Sequence, residues 1–220
     1  MFAAIAPSYD LNNRLHSLWR DQAWRRKAVK LCGAGPGDTV LDVACGTGDL
    51  SLAFADAGAG RVVGVDFTHE MVVIATDKHA RRGSRALHID GDAMGLPIRD
   101  AAADVLSIAF GIRNVADPAA ALREFHRVLR PGGRLCILEF SIPTNPLLRA
   151  GYMLYFKRIM PCTATLISRD RSGAYKYLPQ SVNTFLSREQ MVTMMSAAGF
   201  TAVEQHPLTF GIAVAYLARR

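Results

Sequence analysis

No stretch of the chain stays apolar for the roughly 20 residues that a helix needs to cross a bilayer. Its first residues, Met1-Phe2-Ala3-Ala4-Ile5-Ala6-Pro7, lack a basic region followed by a long apolar one, so a secretion signal is not expected. Cysteine is sparse and scattered: Cys32, Cys45, Cys136 and Cys162 are too far apart for a metal cluster. Two of them sit in apolar, strand-like surroundings, which suits buried thiols in a reducing cytoplasm rather than disulfides. Internal repeats and low-complexity segments are missing as well. Half of the 220 residues are hydrophobic, which excludes a disordered chain and fits one domain with a full core.

Charge is in excess but uneven. The net charge is +7, with Arg14, Arg20, Arg25, Arg26, Lys27 and Lys30 crowding one segment and Arg149, Lys157, Arg158, Arg169, Arg171 and Lys176 another. Such flanks suit a solvated face, a nucleic acid or an anionic membrane surface.

The stretch that organises the chain is Val40-Leu41-Asp42-Val43-Ala44-Cys45-Gly46-Thr47-Gly48-Asp49. It reads as a strand covered on both faces that runs into a glycine turn and a helix. Gly46 and Gly48 let a ligand approach the backbone closely, so a nucleotide-like group is expected there. Around this stretch the pattern alternates. Strands are expected at 39–44, 61–66, 86–90, 104–109 and 134–140, with helices at about 48–58, 68–80 and 118–129. Residues 1–33 read as helical, with Gly33-Ala34-Gly35-Pro36-Gly37-Asp38 as the link to the body. Thr68 is expected to cap the helix it precedes. After strand five, Asn145-Pro146 opens a helix in a segment that breaks the alternation. Ser187 and Gln190 form a capping-box pattern, and 201–206 with 209–217 read as a closing antiparallel hairpin that turns at Pro207-Leu208. The expectation is therefore an α/β chain with a mostly parallel sheet, an antiparallel last strand and helices on both faces. It forms one domain over 1–220, divided into an N-terminal helical appendage (1–36), a cofactor-binding core (37–140), an insertion (141–186) and a closing helix and hairpin (187–220).

Asp66 ends strand two, 20 residues after Gly46, where a nucleoside-binding protein places an acid for ribose hydroxyls. NAD and S-adenosylmethionine both fit to this point. Two features separate them. The third glycine of a dinucleotide pattern is replaced by Ser51, and Asp42 and Asp49 bracket the turn, where they would repel a pyrophosphate and favour a sulfonium and an ammonium. Asp92-Ala93, directly after strand three, suits recognition of an adenine ring.

These residues resemble the cofactor loop of class I S-adenosylmethionine-dependent methyltransferases. The segments Tyr9-Asp10-Leu11-Asn12-Asn13-Arg14, Trp24-Arg25-Arg26, Phe110-Gly111-Ile112-Arg113-Asn114-Val115, Arg127-Val128-Leu129-Arg130-Pro131-Gly132-Gly133 and Tyr175-Lys176-Tyr177-Leu178-Pro179-Gln180-Ser181 resemble the UbiE/MenG family of quinone ring C-methyltransferases. The resemblance implies cofactor contacts at Thr47, Asp66, Asp92 and Ala93, beside Asp42, Gly46, Gly48 and Ala109. Where the family often carries serine at that last position, this chain has Ala109. It further implies methyl transfer to a prenylated hydroquinone, either demethylmenaquinol or a benzoquinol. Arg113 is then the candidate for stabilising a phenolate or orienting a water, and Asn114 for bonding a quinol oxygen. Tyr9, Tyr152, Tyr155 and Tyr177 are candidates for the substrate pocket. The alternative partner of Arg113 is an acid such as Asp66 or Glu139. No metal and no nucleic acid are expected, since the Asn/Asp-Pro-Pro-aromatic run of amino-methylating enzymes is missing after strand four. The protein is expected in the cytoplasm, with transient contact at an anionic membrane surface; its oligomeric state stays open.

Overall fold

A computed structural model describes residues 9–155, 158, 160, 163, 181–182 and 184–220. Two helices, α1 (Tyr9–Ser17) and α2 (Arg20–Cys32), precede an alternating core. That core is β1 (Thr39–Val43), α3 (Asp49–Asp56), β2 (Arg61–Asp66), α4 (His69–Arg81), β3 (Leu87–Asp90), β4 (Ala103–Ala109), α5 (Pro118–Val128) and β5 (Leu129–Phe140). Then come α6 (Pro146–Leu154), α7 (Arg188–Ala197), β6 (Thr201–Leu208) and β7 (Ala213–Arg219).

The strands form one sheet in the order β3-β2-β1-β4-β5-β7-β6. All neighbours from β3 to β5 pair in parallel, while β7 runs against both β5 and β6. The apolar runs of the parallel strands follow from this position, because each strand feeds two cores. Leu41, Val43, Val63, Leu106 and Ile108 pack with Leu122 and Phe125 of α5 and Met191 and Met195 of α7. Val40, Val62 and Val105 pack on the other face with Trp24, Ala28 and Val29 of α2 and Phe54 of α3. Phe54 and Phe125 are fully buried, and enclosing such a ring contributes roughly 1.5–3 kcal/mol.

Local signals account for most boundaries. Asn145 accepts from the Leu147 and Leu148 amides, and Ser187 and Gln190 complete their capping box. Three expectations need correction. The N-terminal helical segment is two helices, split at Leu18 and Trp19, which take left-handed backbone angles. The Thr68 side chain makes no cap bond; Asp66 Oδ1 accepts from the Thr68 amide instead. The closing hairpin turns later than Pro207-Leu208. Pro207 lies within the edge strand β6, where its missing N–H is tolerated, and the reversal runs through Thr209–Gly211. Trp24 Nε1 donates to Thr209 Oγ1 at 2.8 Å and holds that turn against α2.

Candidate active site

The carboxyl ends of β1, β2 and β4 open on a cavity of about 300 Å³, the place where ligands of open α/β sheets bind. Just past β1 and β4, Ala44 (φ 51°) and Phe110 (φ 57°) hold left-handed angles, each a strain of order 1–3 kcal/mol that the surrounding packing must maintain. Both residues line the cavity, so the two strand ends bend sharply around it. Gly46 (φ 54°) also faces it, and a Cβ there would meet nothing closer than Tyr9 Cε1 at 4.0 Å. The turn thus leaves open space beside its backbone.

Asp66 fixes this geometry. Its Oδ2 accepts from the Gly46 amide at 2.7 Å and its Oδ1 from the Thr68 amide at 2.8 Å. Burial raises its carboxyl above the usual range, against the pull of those two donors. Asp92 stands on the cavity wall with Oδ1 accepting from the Met94 amide, and Ala93, Ala109, Asn114 and Tyr9 complete the expected residues found there. Phe67, 81% exposed, and Met71 also line it; an apolar residue directly after the ribose-type acid was their only signal in the sequence.

Other expected residues lie elsewhere. Asp42 is buried beneath the turn, its oxygens accepting from Ser51 Oγ at 2.6 Å and Ser107 Oγ at 3.2 Å. Burial pushes its carboxyl up to about 6, against those hydroxyls and Arg25. Thr47 and Asp49 occupy the outer side of the turn. Thr47 Oγ1 donates to Asp10 Oδ1 at 2.6 Å, and Lys78 Nζ bridges Asp10 Oδ2 (2.6 Å) and Asp49 Oδ1 (2.8 Å). Burial alone would raise Asp49, but Arg25, Lys78 and Arg14 together bring it down to about 2. Gly48 (φ 79°) starts α3, and its carbonyl bonds His79 Nε2 at 2.9 Å.

Asp42 and Asp49 are therefore not among the cavity-lining residues, and the negative charge at the cavity comes from other residues. Among the described lining residues there are two carboxylates, Asp66 and Asp92, and no lysine or arginine. A pyrophosphate would meet uncompensated repulsion there, whereas a sulfonium with an amino group meets complementary charge. The residues present fit S-adenosylmethionine.

Arg113 follows β4 in a short turn, Ile112–Asn114, and pairs with an acid. Its Nη1 donates to Glu139 Oε1 at 2.7 Å and to the Phe110 carbonyl, and its guanidinium lies 5.3 Å from the Phe140 ring centre. Tyr152 sits near this pair on α6, and burial raises its phenol. Tyr155 donates from its hydroxyl to the His16 carbonyl of α1 at 3.0 Å. Tyr177 lies outside the described residues. Two buried side-chain atoms here have no hydrogen-bond partner among the described residues: the donor Arg113 Nε and the acceptor Asn114 Oδ1. No group of three or more metal-ligating side chains occurs among the described residues.

The ubiE/COQ5 methyltransferase family model matches residues 1–220. A Thermus thermophilus protein named demethylmenaquinone methyltransferase is 46% identical over 221 residues, spanning 100% of both chains. A Geobacter sulfurreducens protein named ubiquinone/menaquinone biosynthesis C-methyltransferase UbiE is 44% identical, covering 98% of this chain and 85% of its own. Among solved structures, a Thermotoga maritima chain described as a SAM-dependent methyltransferase, possible histamine N-methyltransferase, superposes with a TM-score of 0.67 at 21% identity, over 100% of this chain and 99% of its own. That likeness is one of fold, the class I methyltransferase sheet.

Proposed function

The chain belongs to the ubiE/COQ5 methyltransferase family and is an S-adenosylmethionine-dependent C-methyltransferase; from that premise we propose that its acceptor is a prenylated hydroquinone ring, demethylmenaquinol becoming menaquinol. The relatives' names support a quinone ring, and the 46% identical Thermus protein favours the naphthoquinol over the benzoquinol.

S-adenosylmethionine, when bound, supplies an electrophilic methyl group on a sulfonium. On this reading the chain's own residues bind, orient and stabilise charge. Asp66 receives the ribose hydroxyls while holding the Gly46 amide, Asp92 and Ala93 meet the adenine, and Thr47 and Gly48 set the turn. The acceptor ring is electron-rich at carbons next to its hydroxyls, and more so when a hydroxyl ionises. Arg113 favours that ionised oxygen, and Asn114 orients it. Tyr9 on the cavity wall, with Tyr152 and Tyr155, lines the path for ring and prenyl tail and excludes water.

One observation carries this assignment: adjacent residues hold one unspent donor, Arg113 Nε, and one unspent acceptor, Asn114 Oδ1, both buried, with Asn114 on the cavity wall. Leaving such atoms bare costs about 1–3 kcal/mol each. A hydroxyl both accepts and donates, so a phenolic oxygen suits the pair. The test is Arg113→Ala, assayed with short-chain demethylmenaquinol and with the benzoquinol analogue. The expected result is a loss of turnover of about 10²–10⁴-fold, with S-adenosylmethionine affinity kept by calorimetry and the naphthoquinol preferred by the parent enzyme. Turnover near that of the parent would remove Arg113 from the reaction.

The same reading places the protein at an anionic bilayer. Leu18, Trp19, Leu147 and Leu154 are exposed, as are Arg20 and Arg149. The Tyr155–His16 bond brings the end of α6 against α1. No acid occurs from Phe140 to Arg169. Apolar side chains among cations suit the interface of an anionic membrane. Co-sedimentation with anionic vesicles that fades as salt rises is the expected outcome; no association at low salt would contradict it.

A further inference from the structure

Glu139 enters none of the roles above, yet it is a fully enclosed acid at the cavity end of the sheet and is paired with Arg113. It sits one residue before the end of β5, opposite Val214 of the reversed strand β7. The side chains of Arg113 and Glu139 are 7% and 2% exposed. An ion pair so deeply buried is a poor device for stability, because the desolvation of both partners offsets most of their attraction. Its presence calls for another reason.

The hydrogen bonds supply one. Glu139 Oε1 accepts from Arg113 Nη1 at 2.7 Å and from the Phe140 amide at 2.8 Å, so the carboxylate is fixed to its own strand. Oε2 lies 3.5 Å from the Arg113 amide, so the same carboxylate also addresses the backbone of the turn that carries Arg113. With Nη1 further committed to the Phe110 carbonyl and the guanidinium plane set against Phe140, the fork has few orientations left. In this one the Nε donor remains unspent, as does the Oδ1 acceptor of Asn114, the next residue along the chain and the one of the two that lines the cavity. The main-chain anchors of Glu139 make it the rigid member of the pair and Arg113 the long, flexible one.

We propose that Glu139 is a positioning residue for the methyl transfer: it clamps Nη1 of Arg113 so that Nε, with Asn114 Oδ1, meets the acceptor hydroxyl. The inference rests on the role given to Arg113 under the proposed function. Two neighbours face the carboxylate from other elements, Tyr152 on α6 and Tyr216 on β7, and both phenols are raised by burial. They leave Arg113 as the cation that Glu139 directly engages among the described residues.

The test is a double-mutant cycle with Glu139→Gln and Arg113→Ala. The amide keeps the shape and one acceptor but removes the charge that holds the fork. Glu139→Gln alone is expected to lower kcat about a hundredfold, the scale of a misplaced catalytic group, with calorimetric affinity for S-adenosylmethionine unchanged. Glu139→Asp, which keeps the charge on a shorter arm, is expected to restore part of that loss. In the Arg113→Ala background, Glu139→Gln is expected to cost nothing further. If Arg113→Ala itself turns over at the parent rate, the underlying role of Arg113 fails. If Arg113→Ala is inactive but Glu139→Gln turns over at the parent rate, or its cost persists without Arg113, then Glu139 does not act through Arg113 and this proposal alone is overturned. Thermal melting of each variant separates a folding defect, which would weaken cofactor affinity and kcat together. Should Glu139→Gln not fold, Glu139→Asp carries the same cycle.

Discussion

Asp42 and Asp49 bracket one glycine turn, and the fold treats them in opposite ways. Asp42 points inward beneath the turn, where its neighbours are the hydroxyls of Ser51 and Ser107, and burial raises its carboxyl to about 6. Asp49 points into the helices packed over the turn, where Lys78 of α4 and Arg14 of α1 pair with it and Gln22 of α2 donates to it, and its carboxyl falls to about 2. Neither faces the cavity, whose acids are Asp66 and Asp92. A motif lists residues by their order along the chain, but the turn distributes them over three environments: buried scaffold, outer fastening and ligand wall. The residue type at a motif position therefore says less about its role than the direction in which the turn sends it.

The largest effect expected from this division belongs to the ligand wall. Asp66→Ala removes both the acceptor offered to a ribose and the anchor of the Gly46 amide. Affinity for S-adenosylmethionine by calorimetry should fall about a hundredfold, or about 2.7 kcal/mol. An unchanged affinity would remove Asp66 from the ligand wall as a ribose contact.

The outer fastening comes next. Asp49→Asn discards the pairing with Lys78 and Arg14, and stability at pH 7 should fall by about 2 kcal/mol. The carboxyl of Asp49 is lowered in the fold, so its contribution is complete above about pH 4 and is lost as pH falls toward 2. Melting curves of parent and variant should therefore converge in acid. Curves that stay parallel would show that packing, not charge, fastens this side.

The smallest effect, and of opposite sign, is expected in the scaffold. Between about pH 4 and 6 the unfolded chain ionises Asp42 before the folded one does, so parent stability declines across that window. Asp42→Asn should abolish that decline and leave the variant more stable above pH 6 by about 1 kcal/mol, the two serine bonds being weaker to an amide. A variant less stable than the parent at pH 7 would show that the hydroxyls of Ser51 and Ser107 more than offset the burial of the ionised carboxylate.

The central strands β1, β2, β4 and β5 were legible because they are apolar on both faces, and the starts of α6 and α7 because Asn145 and Ser187 carry the side chains that cap them. The split at Leu18 and Trp19 was not, since neither residue type favours left-handed angles; the Leu18 amide donates to the Leu15 carbonyl and the Trp19 amide to that of Arg14, closing α1 there. The ligand wall was legible where residues end a strand or come within three residues of its end, as Asp66, Ala109, Asp92 and Gly46 do. The clamp of Glu139 on Arg113 was visible only as one of two possible acids, because the choice between Asp66 and Glu139 depends on which strands are adjacent. Sheet order decides it: β5 lies beside β4, while Asp66 is committed to the backbone of its own turn.

The reversal of β7 has a practical consequence for handling the molecule. It carries the chain back to the amino ends of β4 and β5, where the Arg220 amide donates to the Gly133 carbonyl and the Gly132 amide donates to that of Arg220. Residue 220 thus lies at the end of the sheet opposite the cavity, while Tyr9 forms part of the cavity wall. A surface tether or reporter fused after Arg220 holds the enzyme with its mouth turned outward. The same attachment ahead of Tyr9 would load the wall through which reactants pass.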